Sequence, residues 1–310
     1  MKKEYYFPSA DDLTQIHVCE WTPEGEPKAI LQIAHGMKEY IERYEEFAEV
    51  LSARGILVVG NDHLGHGRSV ADEESYGFFS DNMGPDDVLA DMHSLRERTQ
   101  AEHPSVPYFL LGHSMGSAFA RCYITRHSEG LAGVIIMGSF TAPPAAVVVA
   151  KRLCKFSAAL KGGNHYSKII DGMAGGGYNK EFTNPETPVD WLSKNPENNK
   201  KYENDPMCNH PFSVNAYYGM FEALQQAEKP KLMDQINKDL PIVLVSGDED
   251  PVGHHGKDIP RIAKWYKETG VKEVAYKLYK GDRHEILNEL DRQKVYADLE
   301  RWILKHIKDN

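Results

Sequence analysis

Short apolar runs alternate along the first half of the chain with longer stretches whose apolar residues recur every three or four positions. Gln15 to Trp21, QIHVCEW, places polar and apolar residues in turn, the period of a strand. Tyr5 to Phe7 is set to pair with it across the turn SADD. Ala29 to Ala34 predicts a second strand, which stops at His35-Gly36, where glycine permits a sharp change of direction. Glu42 to Arg54 then predicts a helix, with Tyr44, Phe47, Val50 and Leu51 on one face and Gly55 just past its end. Ile56 to Gly60 reads as a buried strand.

The rhythm repeats. Helices are predicted over Asp86–Glu102 and Ser114–His127, and strands over Tyr108–Leu111 and Leu131–Met137. Later come strands at Pro241–Ser246 and Val274–Tyr279, a helix between them around Ala263, and a closing helix over Leu290–Ile307. Short β-branched runs alternating with amphipathic helices point to an α/β class with a mostly parallel sheet covered on both faces. From about Gly138 to Asp239 no strand pattern occurs. Helical stretches at Ala145–Leu160 and Asn215–Gln226 are separated by GMAGGGY (172–178) and the polar NPENNKKYENDP. This divides the chain into a core, 1–138 with 239–310, and an inserted helical cap, 139–238, over the C-terminal edge of the sheet, where open α/β folds bind ligands. The cap's apolar faces, Val148, Leu153 and Phe156, and Tyr217, Met220, Phe221 and Leu224, call for burial.

Composition narrows the classes. A chain of 310 residues with 41% hydrophobic and 26% charged residues can fill a large core and keep a soluble surface. No apolar run reaches the roughly 20 residues of a membrane span, and MKKEYYFPSADD lacks the apolar block of a signal peptide. The expected location is the cytoplasm. A net charge of -10 disfavours nucleic acid as a partner, despite the local basic group Lys151, Arg152, Lys155 and Lys161. Cys19, Cys122, Cys154 and Cys208 show no paired spacing, so neither a disulfide framework nor a zinc ribbon is expected.

The segment YFLLGHSMGS, 108–117, carries the chemistry. Gly112-x-Ser114-x-Gly116 lies between an apolar strand and a helix, the setting in which a serine sits on a sharp turn with its hydroxyl exposed above the sheet. The flanking glycines let the backbone pack closely, and the following helix directs free amides toward developing negative charge. Such a serine needs a base, and the base an orienting carboxylate. In this architecture they follow in the order serine, acid, histidine. The loop GDEDPVG after Pro241–Ser246 offers Asp248, Glu249 and Asp250. Asp250 leads because Pro251 fixes the backbone after it, with Asp248 the alternative. The loop KGDRHEI after Val274–Tyr279 offers His284, whereas His254 and His255 come one loop too early.

These segments, together with HGMKEYIERYEEFAEVLSARG (35–55), NDHLGHGRS (61–69), NDPMC (204–208), SGDEDPV (246–252) and RHE (283–285), resemble the monoacylglycerol lipase and lysophospholipase group of α/β-hydrolases, within the serine aminopeptidase S33 type. The likeness runs from about Ile30 to Trp302 and is weaker in the cap. It implies an α/β-hydrolase fold, a triad of Ser114, Asp250 and His284, and an oxyanion hole made by the backbone N–H groups of Met37 and Met115, with no cofactor and no metal. The family has a histidine where this chain has Tyr40, which bears on pocket shape. His35 is expected to brace the oxyanion loop. His63 and His66 beside Asp62 resemble a metal cluster in sequence, but the resemblance makes them part of a structural loop.

The expected reaction is hydrolysis of a carboxylic ester, of a monoacylglycerol or lysophospholipid, with a short-chain carboxylester as the alternative. An aminopeptidase would need an acidic site for the substrate's amine, which Glu181, Glu186 and Asp190 are placed in sequence to supply. A catalytically silent binding module is the remaining alternative. The run AAVVVAKRLCKF allows transient contact of the cap with a membrane surface.

Overall fold

The strands assemble into one eight-stranded sheet. They are β1 (Lys2–Pro8), β2 (Gln15–Trp21), β3 (Ala29–Ala34), β4 (Ile56–Asn61), β5 (Tyr108–His113), β6 (Leu131–Met137), β7 (Ile242–Gly247) and β8 (Val274–Tyr279). Their order is β1-β2-β4-β3-β5-β6-β7-β8. β1 and β2 pair antiparallel, as do β2 and β4, and the remaining pairs are parallel. The computed structural model describes residues 1–174 and 177–307. Gly175 and Gly176, inside the predicted GMAGGGY separator, lie outside the described residues, as does the C-terminal tripeptide.

The helices are α1 (Glu45–Ser52), α2 (Asp86–Glu102), α3 (Met115–His127), α4 (Pro144–Lys161), α5 (Lys168–Ala174), α6 (Pro196–Asn204), α7 (Val214–Ala227), α8 (Pro230–Met233), α9 (Asp258–Glu268) and α10 (Arg292–Lys305). The segment α4 to α8 is inserted between β6 and β7. The chain is therefore an α/β-hydrolase fold with an inserted helical region. Strands β3 to β7 are buried along almost their whole length, which is why they read as continuous apolar runs. Edge strand β8 instead exposes Ala275 to Lys277.

The insertion also holds α5, which runs into the predicted separator as far as Ala174, and α8, neither of them anticipated; four further elements differ from expectation. The helix predicted over Glu42–Arg54 is a 3-10 turn, Ile41–Tyr44, followed by α1. The closing helix starts at Arg292, leaving Leu290 exposed before it. The polar separator NPENNKKYENDP contains α6, begun by Asn195, whose side chain accepts from the Glu197 amide, with Pro196 at the first helical position. Its periodicity is silent because Tyr202 is its one buried large apolar residue. In α4 the buried stripe is Val147, Ala150 and Cys154, while Leu153 and Phe156, expected inside, face outward.

The predicted face of α7 is buried, and more besides: eleven of its fourteen residues are covered, because it packs against core helix α3 on one side and α4 on the other. Residues of α7 and of α3 belong to one continuous apolar cluster.

Two features of the core position the site. The first is the crossing of β5 and α3. A Cβ on Gly112 would lie 2.3 Å from Gly116 O, and one on Gly116 would lie 2.1 Å from Ala34 O. The close approach leaves Ser114 at φ 54°, ψ −118° between them, a conformation that non-glycine residues adopt only when their surroundings enforce it.

The second is the loop Asp62–Ser69 after β4. Asp62 accepts from the amides of Ile41 and Arg68 and contacts His17 Nδ1 at 2.9 Å. This explains why β2, read as half-polar, is buried at His17. His35, directly after β3, gathers His63 and His66, with ring centroids 4.3 and 5.2 Å from its own. His35 Nε2 accepts from the His63 amide, and its Nδ1–H donates to Gly36 O. Burial pushes the pKa of His35 down, and burial with the neighbouring imidazoles pushes those of His63 and His66 well down.

Gly116→Ala is expected to destabilise the fold by about 3 kcal/mol or more through overpacking against backbone. Gly172→Ala in α5, where a Cβ meets none of the described residues within 4 Å, is neutral or stabilising by about 0.5–1 kcal/mol; urea midpoints check both. The three neutral histidines also set a pH dependence. Above about pH 6.5 the unfolded imidazoles are neutral too and nothing is lost. Below it the unfolded chain takes up protons that His35, His63 and His66 refuse, and stability falls by up to about 1.4 kcal/mol per pH unit for each. His17, beside Asp62, and His113, beside Glu39, have pKa values that burial lowers and these carboxylates raise further, to a net increase. Their contribution is complete below about pH 6.5 and fades as pH rises through their folded values. His93, His127 and His210, also shifted down mainly by burial, add to the acid limb, so the histidine contribution peaks near neutrality, and His63→Phe flattens the acid limb by about one proton, read from unfolding free energy between pH 5 and 6.

Candidate active site

Ser114, Asp250 and His284 come from three loops at the same end of the sheet. Ser114 is half-buried at the end of β5, Asp250 follows β7, and His284 follows β8. His284 Nδ1 lies 2.9 Å from Asp250 Oδ2, and both residues are buried. Asp250 also accepts from the Val252 amide at 2.9 Å and the Ser246 hydroxyl at 3.1 Å. Burial works against its charge, but the His284 charge and these donors hold its carboxyl below the usual range. Asp248 points elsewhere: its carboxylate accepts from the Gly281 amide and braces the turn before His284. Of the two carboxylates left open by the sequence, Asp250 is the one that reaches the imidazole.

His284 Nε2 is buried without a hydrogen-bond partner among the described residues. Ser114 and His284 both line a cavity of about 450 Å³, with Gly36, Met37, Lys38, Tyr178, Trp191 and Tyr217 among its other walls. The Trp191 ring lies 5.3 Å from the His284 ring and 5.1 Å from that of Tyr178. A larger groove of about 610 Å³ between α1 and α6 is lined mainly by charged side chains and does not include Ser114.

Met115 opens α3, so its N–H falls in the first turn, where no intrahelical acceptor exists. Met37 stands in the loop after β3, beside the serine: a Cβ on Gly36 would lie 3.2 Å from Ser114 Cβ. That loop is held from below by Glu39. Its Oε1 accepts from the Gly36 amide and the Tyr44 hydroxyl and lies 3.1 Å from His113 Nδ1. Its Oε2 accepts from Arg43. Arg43 then makes a two-pronged contact with Glu285, 2.8 Å on each prong, and donates to Asn198 of α6. His113 Nε2 approaches His284 O at 3.3 Å.

Burial alone would raise the pKa of Glu39 and of Glu285. The neighbouring cations, His113 and Arg43 for Glu39 and Arg43 for Glu285, hold both carboxylates well charged. Reading the sequence did not single out Glu39, Arg43, His113 or Glu285. The available signal was the spacing of Glu39 and Arg43, one turn apart, and the position of His113 and Glu285 beside the chosen serine and histidine.

The other candidates sit apart from the cavity. His254 pairs with Asp258 and His255 with Glu181, each at 2.7 Å. Asp190 caps the amides of Glu186 and Thr187, and Glu186 is exposed. Tyr40 donates to Asp205 at 2.6 Å, tying the loop after β3 to the end of α6. Among the described residues no helix is long and apolar enough to cross a membrane.

The profile of the family described as "Serine aminopeptidase, S33" matches residues 25–291. The monoacylglycerol lipase of Mycolicibacterium smegmatis is 27% identical over 299 residues, covering 93% of this chain and 92% of that lipase. A thermostable carboxyl esterase from Bacillus coagulans, solved in complex with glycerol, is 30% identical, with 99% of each chain covered and a TM-score of 0.92. An open-form lipase is 25% identical over the full length of both chains, with a TM-score of 0.90. With the strained serine, the strand order and a family match across most of its length, this chain belongs to the S33 family of α/β-hydrolases, as a serine hydrolase related to monoacylglycerol lipases and carboxylesterases.

Proposed function

We propose that this protein hydrolyses carboxylic esters of the monoacylglycerol or lysophospholipid class by acyl transfer to Ser114. The observation that carries the reading is the buried His284–Asp250 pair, whose unpartnered Nε2 shares a cavity with a serine in a strained conformation. His284 takes the serine proton as the hydroxyl oxygen attacks the ester carbonyl, and Asp250 orients the ring and favours the imidazolium. The amides of Met37 and Met115 hold the oxyanion. The imidazolium then protonates the departing alcohol, leaving an acyl-enzyme. Water, deprotonated by the same imidazole, attacks it and releases the acid. The chemistry needs no cofactor and no metal ion.

The segment 139–238 acts in this reading as a cap over the cavity. The exposed faces of α4 and α5 carry Val149, Leu153, Phe156, Leu160, Ile169 and Met173, with Arg152, Lys155, Lys161 and Lys168 exposed beside them. Apolar residues flanked by cations suit an interface with anionic lipid. The aminopeptidase alternative finds less support: Glu181 and Asp190 are engaged elsewhere, Glu186 is exposed, and none of the three lines the cavity.

A fluorophosphonate probe is expected to label the wild type and not Ser114→Ala, and Asp250→Asn is expected to lower kcat by about four orders of magnitude with the fold retained. Across p-nitrophenyl esters, monoacylglycerols and a proline anilide, ester hydrolysis should dominate; dominant anilide cleavage would overturn the reading. The double variant Phe156→Asp, Leu160→Asp is expected to lose vesicle binding and activity on bilayer-borne monoacylglycerol while cleaving a soluble butyrate ester at the wild-type rate, as measured by co-sedimentation and parallel assays.

A further inference from the structure

Lys38 follows the oxyanion-loop residue Met37 and departs from what local sterics prefer. It holds φ 56°, in the left-handed region where a side chain is strained and glycine is at home. Its side chain is also mostly covered, one of the walls of the cavity that contains Ser114. A surface lysine has little reason to tolerate either condition. Beside it on the cavity wall stands Asp171 of α5, whose Oδ1 lies 3.9 Å from Lys38 Nζ. Asp171 is itself fixed from behind: Tyr217 of α7, fully buried, donates to Oδ1 at 2.5 Å, and Tyr166 donates to Oδ2 at 3.3 Å.

A separation of 3.9 Å is too long for a direct hydrogen bond, but it suits an intervening oxygen. A hydroxyl about 2.8 Å from each atom subtends an angle of roughly 90° between them, accepting from the ammonium and donating to the carboxylate. Asp171 Oδ1 has a second lone pair left for that proton after Tyr217 is served. Burial lowers the lysine pKa, and Asp171 opposes that effect. The pair is neutral as a whole, so it neither attracts nor repels a charged substrate strongly. Its specific demand is for a group that both donates and accepts.

We propose that Lys38 and Asp171 form a hydroxyl-binding subsite of the catalytic cavity, selecting esters that carry a free hydroxyl near the scissile bond over their plain alkyl counterparts. This deepens the ester-hydrolase reading and rests on it. The hydroxyl has two possible sources, the alcohol portion, as in a glycerol monoester, or the acyl portion, as in a hydroxy acid ester. A bare methylene placed there would displace water from the ammonium and from the remaining lone pair of Asp171 Oδ1 without replacing its hydrogen bonds, which is the physical basis of the discrimination.

The test is a pair of kcat/KM ratios measured on the wild-type chain, Lys38→Met, Asp171→Ala and the double variant. The first ratio compares glycerol monobutyrate with propyl butyrate; the second compares propyl 3-hydroxybutyrate with propyl butyrate. One ratio is expected to favour the hydroxylated ester in the wild type and to fall roughly ten- to hundred-fold in each single variant. The double variant should fall little further, because both residues hold the same oxygen. A fall in the first ratio places the hydroxyl in the alcohol, and a fall in the second places it in the acyl group; either supports the subsite. Both ratios unchanged in variants that still turn over propyl butyrate, or a fall confined to one residue, would overturn it. Failure of the wild type to cleave any of the three esters would instead overturn the ester-hydrolase reading.

Discussion

The two-pronged contact between Arg43 and Glu285 joins segments that the chain separates by more than two hundred residues. Arg43 follows the loop carrying Met37, and Glu285 follows His284. On its other side Arg43 meets Glu39, and Glu39 meets His113, the residue before Ser114. One buried chain of charge therefore runs through the loop after β3, the turn at Ser114 and the loop that carries His284. The two carboxylates are balanced by the guanidinium and by His113, whose pKa, lowered by burial, is raised further by its hydrogen bond to Glu39 and the charge there. Removing Arg43 would leave Glu285 buried without its counter-charge and Glu39 with His113 alone, a loss of about 3–5 kcal/mol. The same geometry explains why the backbone beside Ser114 can remain strained. Glu39 takes the Gly36 amide, His113 approaches His284 O, and the turn has no low-cost way to relax.

This arrangement ties the insertion to the core as well. Asn198 of α6 donates to Glu285 and accepts from Arg43. The Glu285 amide donates to Leu192 O at 2.7 Å. Tyr40 reaches Asp205 at the end of α6. The inserted segment from Leu192 to Asp205 is thus hydrogen-bonded to the loops that carry His284 and Met37. Trp191, just before that segment, packs against the His284 ring, so the orientation of that imidazole is set by Asp250 on one side and by the insertion on the other.

Much of this was readable from the sequence, for identifiable reasons. The sheet was legible because parallel strands buried on both faces must be apolar throughout. Ser114 was legible because its turn demands small residues on both sides. Pattern put Asp250 ahead of Asp248 but kept both open, since both occupy one loop, and three-dimensional placement shows that Asp248 serves the Gly281 turn. Periodicity located the helix of α4 but could not say which stripe faces inward: Cys154 and Leu153 are neighbours, and the insertion's packing buries the cysteine. Helix α6 has almost no apolar face, so only its Asn-Pro start gave a signal. The charge chain and the Lys38–Asp171 pair depend on contacts between residues far apart in sequence, which no local pattern encodes.

The burial of α7 decides how firmly the cavity is walled. A helix covered on most of its circumference cannot shift without exposing apolar area, at roughly 25 cal/mol for each Å². Because α7 lies between α3 and α4, it shares the position of α3, whose first residue follows Ser114. Tyr217 projects from this fixed helix and holds Asp171 by its hydroxyl. Asp171 is otherwise on a short helix with a single buried side chain, Ile170. The location of its carboxylate relative to Ser114 is consequently inherited from the core, through α3, α7 and one phenol, rather than from α5 itself. A polar group placed by such a route can discriminate between substrates, since it does not yield when an ill-fitting one enters.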